Sequence, residues 1–175
     1  MRDICKIALR LTILMVIAGL CLGAAYTVTK DPIARQEAEQ KEMARKAVLE
    51  EAVSFEEVQL TDGGNVQECY RGLDAAGNPC GYAMSGTAKG FGGDIQLTVG
   101  VKDGVVTGVR IGTHSETPGL GARAAEEKFY GQFTGKSGTL SVIKTGEAGD
   151  SEINAITAAT ITSTAVTNAV NEALD

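Results

Sequence analysis

Residues 11–28 read LTILMVIAGLCLGAAYTV, an uncharged apolar run that sets the fold problem for the whole chain. As a helix these roughly 18 residues span about 27 Å, close to the hydrocarbon thickness of a bilayer. Arg2, Lys6 and Arg10 precede the run. A cleaved signal peptide has the same charged start. The run is long for a signal, however, and Gly23-Ala24-Ala25 makes a weak cleavage site, which favours an uncleaved anchor. Ala18-Gly19-Leu20-Cys21 is a poor lipoprotein box, because a Leu precedes the Cys where processing wants a small residue. Lys30, Arg35, Lys41, Arg45 and Lys46 follow the span, but the basic residues before it lie closer to it. The positive-inside rule then predicts a cytoplasmic N-terminus and an extracytoplasmic C-terminal domain, a single-pass protein of the cell membrane.

Three segments are expected: an anchor over 1–30, a helical stalk over 31–54 and a folded domain over 55–175. Asp31 and Pro32 suit the cap and first position of a new helix. The Ala, Glu, Lys, Arg and Gln after them are good helix formers with a thin apolar stripe, which predicts a solvated stalk. Beyond Phe55 the pattern turns to strands, at 56–60, 66–73, 81–86, 95–101, 105–111 and 139–144. The turns are Asp62-Gly63-Gly64-Asn65, Asp74-Ala75-Ala76-Gly77-Asn78 and Lys102-Asp103-Gly104. Helices are expected at 124–133 and 164–174. The class is therefore α+β, antiparallel strands packed by helices.

With 22 Gly, no Trp and 5% aromatic residues, the core must be built from Val, Ile, Leu and Ala. A net charge of -6 leaves no basic stripe for nucleic acid. Cys5, Cys21, Cys69 and Cys80 match no zinc or iron–sulfur spacing, and His114 is the lone histidine, so no metal site is expected. Cys69 and Cys80 flank the 74–78 turn. Paired by opposed strand positions they form a disulfide; otherwise they are two buried thiols.

Chemistry concentrates in three places. Asn154-Ala155-Ile156-Thr157-Ala158-Ala159-Thr160-Ile161-Thr162-Ser163 gathers small residues and hydroxyls ahead of an amphipathic helix. His114-Ser115-Glu116-Thr117-Pro118-Gly119-Leu120-Gly121 is a loop with one fixed φ and permissive glycines. Gly81-Tyr82-Ala83 is followed by Gly90-Phe91-Gly92-Gly93-Asp94-Ile95. The latter glycines lack the Lys and the strand–helix context of a phosphate loop and read as a bend. Each segment alone has a plain reading: a helix cap, a turn, a bend.

Together, and in this order, they resemble the FMN-binding domain of the RnfG family, which is related to the C subunit of the sodium-translocating NADH:quinone reductase. Members carry Asp-x-x-Ser/Thr-Gly-Ala-Thr, and the last Thr is esterified to the FMN phosphate. The resemblance puts that phosphoester on Thr160, with Thr157, Ala158 and Ala159 beside it. Asn154 stands where Asp is usual and Ala158 where Gly is usual. If the Gly position has φ > 0, the Ala there costs on the order of 1 kcal/mol. By the same resemblance Glu116, Thr117, Gly119 and Leu120 border the flavin ring, and Lys144 offsets its charge or is simply solvated. His114, a lone histidine beside a loop, reads as structural.

The resemblance implies an electron-relay subunit of an ion-translocating Rnf-type ferredoxin:NAD⁺ complex. Its partners are integral membrane subunits of that complex. No base is evident near Thr160, which implies that a separate flavin transferase attaches the FMN. No residue of the chain is assigned a catalytic role, since turnover belongs to the assembly. The alternatives are a free-standing extracytoplasmic flavin reductase and an anchored binding or structural module with no cofactor.

Overall fold

In the computed structural model of the chain, residues 2–60, 64 and 66–175 are described. Asp62, Gly63 and Asn65 of the expected first turn lie outside the described residues. The chain divides into two compact units, one ending at Gln40 and one over Lys41–Asp175.

The first unit is helical. Helix α1 runs over Arg2–Val48 without interruption, and Pro32 lies inside it. The expected break at Asp31 is not there. Pro32 removes one backbone donor and crowds the carbonyl one turn back. In the turns before it, Thr27 Oγ1 donates to Ala24 O at 2.9 Å and Thr29 Oγ1 to Ala25 O at 2.9 Å. Strong helix formers beyond Pro32 then propagate the helix. Within Leu9–Val48 the helix holds an 18-residue stretch long and apolar enough to cross a membrane.

In the second unit, alternation along the strands sets the architecture. Strands β1 (Ser54–Val58), β2 (Val66–Leu73), β3 (Pro79–Lys89), β4 (Asp94–Lys102) and β5 (Val105–Ile111) form one antiparallel sheet in chain order. Side chains on a strand alternate between faces. Ile95, Leu97, Val99 and Val101 of β4 therefore share one face, and with Val106 and Val109 they are buried in the main core. Helix α3 (Thr160–Leu174) covers that face with Val166, Val170 and Ala173. Between β5 and α3 the chain makes a 3-10 turn at Gly121–Ala125 and the short α2 (Glu127–Tyr130), then a second 3-10 turn at Gly131–Phe133. The single helix expected over 124–133 is thus broken, because Glu126 is extended. Phe129 and Phe133 meet edge-on at 5.6 Å and plug the core. Strand β6 (Ser141–Ile143) pairs in parallel with β7 (Glu152–Asn154), a strand the sequence pattern did not reveal.

The other face of the sheet carries glycines. Gly72 pairs with Gly81 across β2 and β3, and Gly100 with Gly108 across β4 and β5. The end of α1 lies in this trough. A side chain at Gly100 would strike the Val48 carbonyl and the Thr107 hydroxyl, and one at Gly72 or Gly81 would strike Leu49. Thr107 Oγ1 donates to Val48 O at 2.5 Å, Lys41 pairs with Glu68 at 2.6 Å and the Arg45 guanidinium lies 3.9 Å from the Tyr70 ring centre. Val48 and Leu49 are each 2% exposed. These last residues of the expected solvated stalk are therefore packed, and the reason is the absence of Cβ atoms beneath them.

In the β2–β3 hairpin Leu73 faces Pro79 across the turn, and Cys69, four residues before Leu73, faces Met84, whereas Cys80 lies beside the turn. Both are buried free thiols, which corrects the disulfide alternative. Burial pushes the Cys69 thiol above its ordinary pKa, with Arg71 pulling the other way. At neutral pH its thiolate fraction is therefore below that of an ordinary cysteine.

Two outcomes are expected. A non-reducing peptide map of the native protein shows no Cys69–Cys80 link, and Cys69 is alkylated only on unfolding. Gly100→Ala, which forces a methyl against the end of α1, lowers stability by about 1–3 kcal/mol in denaturant titration of the full chain in detergent.

Candidate functional site

Helix α3 begins at Thr160, earlier than its apolar periodicity suggests, and nothing caps it with a side chain. The first amides of a helix have no partner within it and attract anions. The turn that delivers the chain to this point is held by Ser163. Its Oγ accepts the Ile156 N–H at 2.9 Å and donates to Ala159 O at 3.0 Å. Upstream, the amide of Gln132 grips the Asn154 backbone, accepting its N–H at 2.8 Å and donating to its carbonyl at 3.3 Å. The contact is to the main chain, so the departure from Asp to Asn leaves it untouched. Ala158 has φ +63°, in the left-handed region that favours glycine. A Cβ there is strained.

The four hydroxyls of this segment have different fates, and Thr157 is exposed on a neighbouring cleft. Thr162 and Ser163 are fully buried and hydrogen-bonded. Thr160 is half-buried, carries no side-chain hydrogen bond, and lines a cavity of about 450 Å³. That is within the range of small-molecule sites, about 300–1,000 Å³. Phe91, Glu116, Thr117, Leu120, Gly121 and the 158–162 turn line it.

Glu116 is 6% exposed and joins the walls of this cavity. Its Oε1 accepts the Gly92 N–H at 2.9 Å and its Oε2 accepts the Thr162 hydroxyl at 2.9 Å. A Cβ at Gly90 or Gly121 would strike this carboxylate. Glu116 does not cap the following turn, whose N-cap, Leu120, has no side-chain capping bond. The loop instead closes on itself, with Leu120 N–H and Ala122 N–H donating to Thr117 O at 3.1 and 3.2 Å, and Gly119 at φ +77°.

The cavity thus brings together Glu116, Thr117 and Leu120 from the loop after β5 and Ala158, Ala159 and Thr160 from the turn into α3. Gly119 shapes the loop without lining the cavity. Thr157 lines a neighbouring cleft of about 150 Å³ with Arg123, Lys128 and Asn154. Lys144 is exposed just after β6 and, like His114, is not part of the cavity lining. Sequence reasoning missed Phe91, Gly121, Ile161 and Thr162. Phe91 and Ile161 are 73% and 58% exposed, and a large apolar side chain between glycines was the available signal.

Residues 90–175 match the FMN-binding domain family, FMN_bind. The G subunit of the ion-translocating oxidoreductase complex of Methanosarcina acetivorans is 35% identical over 181 residues, covering 99% of this chain and 94% of its own. The G subunit of the Na(+)-translocating ferredoxin:NAD(+) oxidoreductase complex of Acetobacterium woodii is 37% identical over 183 residues, covering 95% and 87%. The chain belongs to the RnfG family. The crystal structure of Shewanella oneidensis NqrC shares the fold, with a TM-score of 0.54 and 19% identity over 73% of this chain and 68% of that one. Among the described residues, this RnfG-family chain has one helix long and apolar enough to cross a membrane, and it is a single-pass membrane protein.

The left-handed Ala158 generates a prediction. A non-glycine residue there costs about 1–2 kcal/mol, and glycine returns part of that as unfolded-state entropy, about 0.4–1 kcal/mol. Ala158→Gly is expected to raise stability by up to about 1 kcal/mol, and Ala158→Val to lower it, in paired denaturant titrations. Stability unchanged by both would show that the turn is not held in this conformation.

Proposed function

We propose that this chain is the electron-relay subunit of an Rnf-type ferredoxin:NAD⁺ oxidoreductase complex and carries FMN through a phosphoester on Thr160. The observation that carries the reading is the contrast among the hydroxyls: Thr162 and Ser163 are committed to internal bonds, Thr157 opens on a separate, smaller cleft, and Thr160 lines the larger cavity with no side-chain hydrogen bond among the described residues. The residues present fit the group. The uncapped start of α3 offers amides to a phosphate. The cavity beside it has apolar walls in Phe91, Leu120 and Ile161 for a flat ring, and polar groups in Thr117 and backbone amides for its edge. Thr117 and Leu120 bound the ring, Gly119 shapes their loop, Glu116 braces the walls, and Thr157, Ala158 and Ala159 belong to the attachment turn. FMN, when bound, supplies one- and two-electron redox chemistry, and the protein supplies attachment and orientation.

The chain's own residues do not activate Thr160. The one carboxylate lining the cavity, Glu116, has both oxygens occupied by Gly92 and Thr162. A separate flavin transferase is therefore required, and the half-buried Thr160, flanked by Ala159, is accessible to one. The relatives are named as complexes that translocate ions. Integral membrane subunits of such a complex are accordingly the partners. The basic residues before the span orient the domain to the extracytoplasmic side, where covalent attachment prevents loss of the flavin.

Thr160→Ala, co-expressed with a flavin transferase, is expected to lose in-gel flavin fluorescence entirely, while Thr157→Ala keeps it. Fluorescence retained by the Thr160 variant would overturn the attachment site.

A further inference from the structure

Phe91 takes no part in attaching the flavin, and its surroundings are costly to build. It is 73% exposed, yet it tops a turn fixed on three sides. Gly90 N–H donates to Gly93 O at 2.9 Å and closes the turn. Gly92 N–H donates to Glu116 Oε1. Gly93 has φ +136°, a conformation that favours glycine. A Cβ at Gly90 would strike Glu116 and Ile95, and one at Gly92 would strike the Ser115 carbonyl. The turn is thus pressed against its support, and the one side chain it presents is a bare phenyl group. That group lines the same cavity as Thr160, and Leu120 and Ile161 stand exposed on its rim. A large apolar side chain held rigidly in solvent at a cavity mouth needs a partner to cover it.

We infer that Phe91 covers the outer face of the bound flavin ring, and that Glu116 is the residue that positions it. The inference rests on the FMN reading above. Glu116 is not itself a ring ligand in this scheme. With one oxygen it holds the Phe91 turn, and with the other it holds Thr162, two residues past the attachment threonine. One buried carboxylate so fixes the spacing between the tether of the flavin and its cover. Aromatic faces prefer offset stacking at a few ångströms, so this spacing decides whether a ring fits.

Phe91→Trp tests the assignment. An indole in contact with an excited flavin donates an electron and takes it back, so the flavin returns to its ground state without emitting. The full chain is prepared in detergent with covalent FMN, and loading is read from intact mass. Per loaded flavin, the Trp variant is expected to lose flavin fluorescence severalfold, with a shortened lifetime. Compared in the same way, Phe91→Ala is expected to become more sensitive to collisional quenching by iodide. Adding Glu116→Ala to the Trp variant restores emission, and Glu116→Gln in its place keeps the quenching, since a carboxamide still accepts from Gly92. A loaded Trp variant that fluoresces as the native chain does would overturn this inference alone. A native chain that takes up no FMN would overturn both this inference and the reading beneath it. If the double variant with Ala does not load, iodide sensitivity of the Phe91→Ala chain decides: native-like sensitivity overturns the assignment.

Discussion

The Glu116 carboxylate is the joint on which the site depends. A buried carboxylate must be hydrogen-bonded to be tolerated, and this one satisfies the requirement by accepting from two segments far apart in the chain, the Gly90–Gly93 turn and the first turn of α3. Gly90 and Gly121 are glycine because a Cβ at either would occupy the carboxylate's place. The three motifs of the sequence therefore form one physical object: a carboxylate, the glycines that admit it, and the hydroxyl that completes its shell. Removing the group leaves Gly92 and Thr162 without their partner and separates the walls of the cavity.

A second constraint acts on the opposite face of the sheet. Paired glycines on β2–β3 and β4–β5 let the end of α1 lie directly on strand backbone, and Thr107 fastens the last helical carbonyl. The face that holds α3 is filled by ordinary apolar packing, Val166 and Val170 on Ile95, Leu97 and Val99. The sheet is thus loaded from both sides by different means. Bulk apolar burial holds the functional helix, and close backbone approach holds the segment arriving from the apolar helix.

Much of this was legible in the sequence. Period-two alternation located β4 and β5 to within a residue, and Val66–Leu73 was found at both ends. The three motifs predicted most of the cavity wall. What escaped has physical reasons. Pro32 reads as a helix start, but the strong helix formers that follow it carry α1 through it. Strand β7 has three residues and no alternation to detect. The α1 docking trough is invisible to apolar patterning, because its signal is missing side chains. Cys69 and Cys80 flank the same turn, yet Cys69 stands farther from it than Cys80, so the hairpin register sets them apart. Phe91 sits in a glycine run that reads as a bend, whereas the side chain those glycines present is what meets the cavity.

The proposed electron-carrier function turns on the Thr160 hydroxyl at the head of α3. Trypsin leaves residues 145–175 as one fragment, since no Lys or Arg follows Lys144. Mass mapping of that fragment, taken from membranes of the source cell, reads the modification directly. The expected fragment is heavier by one FMN less one water, with the added group on Thr160. An unmodified fragment, or one carrying the group on another residue, would contradict the assignment.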